Sequence, residues 1–300
     1  MPIKIHQPSE LSNPEYQALA QCSGSFLHTL FAENPAQARF GEHEASKALD
    51  FGIWGHAMIL EPERFDSEYC RDFDPSVYES ILDTGAQMSA WLKERGIKSS
   101  GVKAELIERI LAADPNAHIA DVEMQRYRSE REGLEFVPPA SFDKIQQMRS
   151  VIMADPECAK MLANGHAELS LVSDEFKVRP DIITSGAYLI NYKTTASAHP
   201  EECGRKFYDY GYVMKAAFEC EMFRQAYGEM PRGYIILAQQ KKAPYIHVPF
   251  RLSKETLEIG KKDLNCAIRV YRACRDADTW PAFGGLQDLT LPEYITKKYQ

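Results

Sequence analysis

Hydrophobic residues recur with two different periods along the chain, and each period predicts a different kind of element. Over residues 22–65 and again over about 140–163, apolar side chains return every three or four positions, which is typical of one buried helix face. The first of these segments predicts two helices. One ends before Pro35, and the other carries apolar positions from Leu49 to Leu60.

Apolar residues then alternate with a period of two, which predicts strands. The predicted strands are 167–173, 176–183, 187–195, 233–239 and 245–250. Ser185-Gly186 forms the turn before the third strand, a long helix is expected over about 200–228, and a final helix begins near Ser253. The order helix-helix-β-β-β-α-β-β-α predicts an α/β fold in which helices cover a sheet.

Two polar segments interrupt these patterns. Residues 66–83 contain the turn signal DFDPS and are predicted to be a loop, and residues 114–139 end in two prolines and are predicted to be a linker. Between them, residues 86–113 have the spacing of two short helices. We therefore predict a small helical insertion at 84–114, within a main domain formed by 1–83 and 115–300.

Composition and charge exclude several classes of protein. No apolar run reaches the roughly 18–20 residues that span a bilayer, and the first ten residues do not resemble a secretion signal. The seven cysteines include no C-x-x-C pair, so neither a disulfide framework nor a zinc site is expected. The net charge of −8 argues against a basic surface for loose nucleic-acid binding, but a local basic groove is compatible with it. We expect a cytoplasmic protein without membrane contact.

A group of residues suited to metal-dependent hydrolysis lies on two neighbouring predicted strands. Asp181 ends the pattern Arg-Pro-Asp on the first strand, and Asn191 and Lys193 lie on the second. Side chains two positions apart on a strand point to the same side, so the three residues can meet. Magnesium prefers oxygen ligands, and a nearby lysine can orient water or stabilise charge during phosphodiester cleavage. The alternative is a β-hairpin with solvated charges.

Further sequence blocks surround this pattern and occur in one order along the chain. They are SGSFLHTLFAENPA, KALDFGIWGHAMILEPERF, ADPECAKML, KVRPDII, LINYKTT, YDYGYVMKAAF and WPAFGG…LPEYI. With these blocks, the chain resembles the exodeoxyribonuclease VIII family, the RecE-type nucleases of the PD-(D/E)xK superfamily, over roughly residues 22–65 and 140–295.

The resemblance implies a restriction-endonuclease-like core, with a mixed central sheet flanked by helices. It implies a nuclease that uses Mg²⁺, or Mn²⁺ as a substitute, to digest one strand of duplex DNA from 5′ to 3′ and leave 3′ tails for recombination. It also implies binding to double-stranded DNA ends, a RecT-type single-strand annealing protein as partner, and a homo-oligomeric ring, a tetramer. The alternative function is a DNA-end-binding recombination protein without catalytic activity.

Carried over residue by residue, the resemblance places metal ligands at His56, Asp181 and Asn191. The backbone carbonyl of Tyr192 is expected as a further ligand, and Lys193 falls on the family's lysine. A lone histidine on an apolar helix face is often a buried core residue instead, and this reading is the alternative for His56.

The sequence departs from the family pattern in the same region. The family has Asp where this chain has Asn191, and an amide oxygen lacks the charge that binds a divalent cation tightly. Either an Asp→Asn change was made to trap uncut DNA, or the natural chain has weakened or lost cleavage. Lys215 and Glu219 stand where the family tends to have Gln and Tyr. Two alternatives are open: the two residues form a surface ion pair, or Lys215 contacts DNA phosphates. Glu168 is expected either beside the metal or as a solvated strand end.

Residues 86–113 resemble a SAP motif, a small two-helix DNA-binding module. Ser99 or Ser100 is predicted to cap the second helix, whose N-terminus would then face a phosphate. The residues expected to contact phosphates here are Lys98, Lys103 and Arg109. Further expected DNA contacts are Arg179, Thr194, Lys215, Ser23 and Ser25. The alternatives are a helical hairpin that packs on the core and, for the two serines near the N-terminus, an ordinary helix cap.

Overall fold

A computed structural model describes residues 3–42, 47–286 and 288–298 of the chain. Contacts between residues divide the chain into two compact units. The first unit is Met1–Leu49 with Val151–Gln300, and the second unit is Asp50–Ser150. The predicted insertion at 84–114 lies inside the second unit, and its status as a separate module stays a prediction. The side chain of Leu49, an apolar position of the predicted second helix, lies outside the described residues.

The described residues form short strands and mostly short helices. The strands are β1 Lys4–His6, β2 Cys22–Ser23, β3 Tyr69–Arg71, β4 Glu135–Val137, β5 Gly165–Ala167, β6 Ser170–Val172, β7 Phe176–Val178, β8 Ile182–Thr184, β9 Tyr188–Thr195, β10 Gly233–Gln240 and β11 His247–Arg251. The helices are α1 Asn13–Ala18, α2 Gly24–Ala32, α3 Pro35–Phe40, α4 Lys47–Leu60, α5 Pro62–Glu68, α6 Gly85–Glu94, α7 Lys103–Ala113, α8 Ala120–Ser129, α9 Pro139–Met153, α10 Pro156–Ala163, α11 Pro200–Asp209, α12 Tyr212–Tyr227, α13 Lys254–Ala277 and α14 Glu293–Thr296.

Two sheets form the first unit's β structure, as far as the described residues show. The larger has the order β11-β10-β9-β8-β5, with β9 and β10 parallel and the other neighbours antiparallel. The smaller has the order β1-β6-β7-β2. Helices α12 and α13 pack against each other and both contact α2, and the core between these helices and the sheets includes Leu27, Leu189, Phe218, Ile236 and Leu264. The predicted α/β fold with a mixed sheet flanked by helices is confirmed.

Two of the predicted strands are each broken in the structure. The segment 167–173 is interrupted at Glu168, whose φ of 55° is left-handed and cannot continue a strand. The segment 176–183 is interrupted at Pro180, which has no backbone N–H to donate to a neighbouring strand. The halves therefore join different sheets: β5 and β8 enter the larger sheet, while β6 and β7 enter the smaller.

The helices are also more divided than predicted. The helix expected over 200–228 is two helices, because Gly211 between them has a left-handed φ of 70°. A side chain at this position would also collide with His28, so the position requires glycine. The helix expected over 140–163 likewise stops and restarts at Pro156, which occupies the first turn of α10. The final helix begins as predicted, since Ser253 accepts a hydrogen bond from the Thr256 amide at 3.0 Å.

In the second unit, the predicted loop and linker contain regular structure. Strand β3 lies within 66–83 and pairs in parallel with β4, which lies within 114–139. Helix α8 also falls within the segment predicted as a linker. The hydrophobic pattern did not predict these elements for two reasons. Helix α8 buries few of its side chains, and each strand is only three residues long. None of the helices in the described ranges is both long and apolar enough to cross a bilayer.

Candidate active site

The breaks in the two predicted strands bring three polar residues together in the first unit. The Glu168 amide donates a hydrogen bond to the Asp181 carbonyl at 3.0 Å, directly after β5 and before β8. In the antiparallel β8–β9 register Ile182 pairs with Ile190, so the next positions along the ladder are Asp181 and Asn191. Three adjacent strands of the larger sheet thus present Glu168, Asp181 and Asn191 at one level.

Asp181 is a buried carboxylate with two polar groups beside it. The residue is 6% exposed, and its Oδ2 accepts a hydrogen bond from the Tyr192 amide at 2.6 Å. The Lys193 ammonium lies 3.5 Å from the same oxygen and donates to the Tyr192 carbonyl at 2.9 Å. The carbonyl predicted as a metal ligand is therefore also a hydrogen-bond acceptor for the predicted catalytic lysine, and Lys193 is positioned by both contacts.

Asn191 has a buried oxygen that lacks a hydrogen-bond partner. The residue is 9% exposed, and its Oδ1 meets no donor among the described residues. An unpaired buried acceptor costs about 1–3 kcal/mol, so such groups are uncommon unless a ligand or ion satisfies them. With the Asp181 carboxylate beside it, this oxygen completes a pair of hard donors of the kind that Mg²⁺ and Mn²⁺ prefer. The residues present fit a divalent cation.

Arg179 lies directly before the strand break at Pro180, close to Asp181 and Asn191, and its contacts stabilise this region. Its guanidinium donates to Ser170 Oγ at 2.8 Å and to the Leu11 carbonyl at 2.8 Å, and it lies 4.2 Å from the centre of the Tyr16 ring. It also approaches the Glu168 carboxylate, with 4.0 Å between Nη1 and Oε2. These contacts hold Glu168 near the site. Contact between Arg179 and DNA stays a prediction.

Helix α12 carries Lys215 and Glu219, the two ionisable residues at which the sequence departs from the RecE-type pattern. Glu219 is buried and accepts a hydrogen bond from the Tyr234 hydroxyl at 2.7 Å. Burial, together with the charge of Asp181, raises the pKa of Glu219 to about 7. Burial and the nearby Lys193 ammonium lower the pKa of Lys215. The surface ion pair considered for Lys215 and Glu219 is absent from the described part of the chain, because Glu219 points into the protein and bonds Tyr234 instead.

A cavity lined with cations adjoins the lysine strand. Lys193 and Thr194 line it together with Lys206, Tyr210 and Lys241, and its volume is about 200 Å³. A positive cavity beside buried oxygen donors is suited to a phosphate group. This placement is compatible with the DNA contact predicted for Thr194.

The serines near the N-terminus take different positions. Ser23 caps α2, because its Oγ accepts from the Phe26 amide at 3.3 Å, whereas Ser25 is exposed in the first turn. A β-carbon placed at Gly24 would lie 3.2 Å from the Lys215 side chain, so this turn passes close to α12. The cap reading of Ser23 is confirmed, and phosphate binding by either serine stays a prediction.

His56, the third expected ligand, lies on α4 in the second unit and is partly buried. Its role as a metal ligand stays a prediction.

The helical pair in the second unit has the predicted two helices, but its capping prediction is wrong. The cap of α7 is Val102, which offers no side-chain hydrogen bond, and neither Ser99 nor Ser100 takes that place. The reason is that Arg109 holds the preceding loop, donating to the Ser100 carbonyl at 2.7 Å and to another carbonyl at residue 98. The serines are thereby kept away from the first amides of the helix.

The three basic residues predicted to contact DNA in this pair have unequal freedom. Lys103 pairs with Asp121 at 2.8 Å, and Arg109 is engaged by the loop carbonyls and by Glu105 at 2.9 Å. Lys98 is exposed. Of the three, Lys98 presents its charge most directly to solvent, and DNA contact by this segment stays a prediction.

Comparisons with known proteins agree with this architecture. A family model described as a PDDEXK-like domain of unknown function (DUF3799) matches residues 12–290. A solved structure from Eubacterium rectale, described as a "Putative exonuclease", superposes with a TM-score of 0.58 at 13% identity, covering 96% of this chain and 97% of that one. No curated protein matches the chain.

At this low identity the solved structure supports the fold, and the family model supports the PD-(D/E)xK superfamily predicted from the sequence. Neither finding tests the RecE-type specificity or the SAP resemblance. Because the family model spans nearly the whole length, the chain belongs to the PDDEXK-like family DUF3799.

Proposed function

We propose that this protein is a divalent-metal-dependent nuclease acting on DNA, and more narrowly a 5′-to-3′ exonuclease of double-stranded ends. The observation that carries the proposal is the pairing of a buried carboxylate, Asp181, with the orphaned amide oxygen of Asn191, beside the Lys193 ammonium. Structural ion pairs do not require an unsatisfied acceptor at their centre, whereas a cation site does.

Each residue has a distinct task in this proposal. Asp181 and Asn191 offer oxygen atoms to the cation, which when bound supplies positive charge that activates water and stabilises the phosphate. The Tyr192 amide fixes the orientation of the Asp181 carboxylate. Lys193, 27% exposed at its side chain, extends its ammonium toward the scissile phosphate and stabilises the negative charge that develops there.

The cation-lined cavity beside Lys193 suggests how the strand is held. Lys241 and Lys206, whose ammonium also pairs with Glu202 at 2.9 Å, lie next to the lysine that faces the reaction. Contacts of this kind bind the phosphate backbone without reading bases, which suits an enzyme that digests DNA of any sequence. They also supply, in an acidic protein, the local basic surface that a nuclease requires.

Asn191 favours a second candidate, a DNA-end-binding protein that does not cut. Replacing a carboxylate with an amide removes one negative charge from the cation site, and metal binding weakens accordingly. In this candidate the fold is retained and attachment to DNA becomes the function. A separate activity measurement decides between the two.

The decisive experiment compares cleavage by the protein and two variants. A 5′-labelled duplex is incubated with Mg²⁺, Mn²⁺ or EDTA. We expect digestion that EDTA abolishes, a gain of about 100-fold or more in Asn191→Asp, and loss in Asp181→Asn, because the acidic ligands bind the metal. Asn116→Asp, an exposed position with the same change of charge, is the matched control and should behave like the parent.

The outcomes separate the candidates. Strong cleavage by Asn191→Asp with none by the parent supports a site weakened by its amide and leaves DNA-end binding as the parent's function. If Asn191→Asp is as inactive as Asp181→Asn under all conditions, the nuclease proposal fails.

We further propose, from the resemblance to RecE-type nucleases, that the protein feeds recombination in the cytoplasm of a bacterium or phage-infected cell. Its 3′ tails would pass to a RecT-type annealing protein, and its copies would assemble as a tetrameric ring. Light scattering on the purified protein tests the ring, and a monomer at all concentrations would contradict it.

A further inference from the structure

The cation site described above has the carboxylates of Asp181 and Glu168, whose oxygen atoms come within 4.8 Å of each other, but an amide at residue 191. The RecE-type pattern that the sequence resembles pairs two acids on neighbouring strands, and here Asn191 stands at the second of these positions. Two lysines, Lys193 and Lys215, lie close enough to each other for one charge to depress the other's pKa. A further carboxylate near this group is therefore electrostatically favoured.

The first unit contains such a carboxylate. Among its described residues, the buried acids are Asp181 and Glu219. Within the described residues, the hydrogen-bond donor to Glu219 is the Tyr234 hydroxyl, which donates to its Oε2. A buried carboxylate with one hydrogen bond is poorly compensated, since several donors or a cation are normally needed to offset the lost hydration.

The sheet register places Glu219 over the same face as Asn191. Strands β9 and β10 are parallel, with Leu189 beside Tyr234 and Asn191 beside Ile236. Alternate residues share a face, so Tyr234 points to the side occupied by Asn191. Two residues along a strand span about 7 Å, which is comparable to the length of a tyrosine side chain. The Glu219 carboxylate, bonded to the tip of Tyr234, therefore lies above this region of the sheet.

Electrostatics link Glu219 to the predicted ligand pair. Asp181 raises the pKa of Glu219, while Lys193 and Lys215 lower it, so all three charges act on the same carboxylate. Each of these groups comes from a different part of the site: Asp181 from the strand break, Lys193 from β9 and Lys215 from α12 itself. The face of α12 that carries Glu219 thus looks into the site.

We infer that Glu219 supplies a further carboxylate of the cation site, from helix α12, in place of the acid missing at residue 191. This inference rests on the proposed function, because it concerns the same cation. Asn191 then contributes a neutral oxygen, Glu219 adds a negative charge to those of Asp181 and the nearby Glu168, and Lys215 balances part of that charge. Tyr234 orients Glu219 as the Tyr192 amide orients Asp181.

A purely structural role is the competing explanation. In that case Glu219 is a protonated acid that shares a hydrogen bond with Tyr234 and never meets a cation. Both explanations allow Glu219→Gln to fold, because glutamine has the same shape and can accept the Tyr234 hydrogen bond. They differ in what happens to cation binding.

The test measures Mn²⁺ binding by isothermal titration calorimetry and by the shift of the melting temperature, without DNA. We expect Glu219→Gln to weaken Mn²⁺ binding at least about tenfold, because a charged ligand is lost. The matched control is Glu221→Gln, two residues along α12, where the carboxylate pairs with Arg224 at 2.6 Å on the surface. It should bind Mn²⁺ like the parent.

A rescue makes the inference specific. Adding Asn191→Asp to Glu219→Gln returns a second carboxylate to the strand, and we expect the double variant to recover affinity to within about threefold of the parent. Unchanged Mn²⁺ affinity and unchanged metal-induced stabilisation in Glu219→Gln overturn the inference.

The binding readout keeps this inference apart from the proposed function. If the parent binds Mn²⁺ through Glu219 yet no variant cuts DNA, the inference stands and the nuclease proposal fails. If the parent or Asn191→Asp cuts DNA, Asp181→Asn does not, and Glu219→Gln binds Mn²⁺ like the parent, the nuclease proposal stands and the inference fails.

Discussion

Replacing Glu219 with glutamine should stabilise the metal-free protein at alkaline pH and leave its stability nearly unchanged at acidic pH. The carboxylate is buried against the Tyr234 hydroxyl, and the charged groups acting on it are Asp181, Lys193 and Lys215. Its pKa is raised to about 7 from the 4.5 of an ordinary glutamate, chiefly because burial penalises the charged form. Glutamine cannot ionise and therefore avoids this penalty.

The sign and size follow from the difference in proton binding between the folded and unfolded chains. Below pH 4.5 Glu219 is protonated in both states, so its ionisation has no effect on stability. Between pH 4.5 and about 7 the folded protein keeps the proton and the unfolded chain loses it, so the free energy of unfolding falls as pH rises. Above pH 7 the full loss is present, and a shift of this size corresponds to about 3 kcal/mol.

The assay is urea unfolding in EDTA at pH 5 and pH 8, followed by far-UV circular dichroism and fluorescence. We expect the difference in unfolding free energy between Glu219→Gln and the parent to grow by about 2–3 kcal/mol from the lower to the higher pH. Glu221→Gln, on the same helix, loses a surface pair with Arg224 and should show no such growth. A difference equal at both pH values would refute the reasoning, because it would mean that Glu219 ionises normally in the folded protein.

Three further changes test other parts of the structure. Lys177→Met should lower the free energy of unfolding, measured with urea, by about 3 kcal/mol, because the buried ammonium donates to the backbone carbonyls of residues 16, 17 and 19 at 2.8–3.0 Å. A loss below about 1 kcal/mol would show that water can replace the ammonium as donor to these carbonyls. Gly211→Ala should destabilise by at least about 1–3 kcal/mol, because its left-handed φ and the His28 ring exclude a side chain. Gly204→Ala is its matched control inside α11, has no atom near the added carbon and should stabilise by about 1 kcal/mol. Lys98→Ala should reduce the slope of log affinity for duplex DNA against log salt by about 1, measured by fluorescence anisotropy, and an unchanged slope would argue against DNA contact by the helical pair.

The sequence predicted which residues of the two strands lie together better than it predicted the strands that carry them, and the roles of these residues stay predictions. Asp181, Asn191 and Lys193 were recognisable because their spacing fits two antiparallel neighbours, and the structure has that register. The strand breaks at Glu168 and Pro180 were not predicted, although a proline in a strand pattern is a signal against a continuous ladder. Alternation of apolar residues persists across such breaks because both halves remain half-buried, so periodicity alone cannot show that a chain changes sheets.

The second unit shows a different limit of sequence reasoning. Strands β3 and β4 are three residues long and separated by more than sixty residues, so each depends on its distant partner rather than on its own pattern. The cap predicted for α7 at Ser99 or Ser100 failed for a similar reason. Arg109 reaches back eleven and nine residues to bond the loop carbonyls, and this tertiary contact overrides the local preference of serine for a cap.

The position of Glu219 is the feature that sequence spacing could least reveal, and it changes how Asn191 is understood. Read along the chain, Lys215 and Glu219 are four residues apart on a helix, which is the usual spacing of a surface pair. In the fold, α12 lies against the sheet, so Glu219 is buried and bonds Tyr234 from the strand next to Asn191. If Glu219 binds the cation as we infer, the charge lost through the amide at residue 191 is restored by a carboxylate from the helix side. If the total charge of the donors determines cation affinity, Asn191→Asp should bind Mn²⁺ more tightly than the parent. It should also bind Mn²⁺ more tightly than the double variant that combines Asn191→Asp with Glu219→Gln. Equal affinity of Asn191→Asp and the parent, measured by calorimetry, would instead mean that one carboxylate excludes the other from the same coordination position.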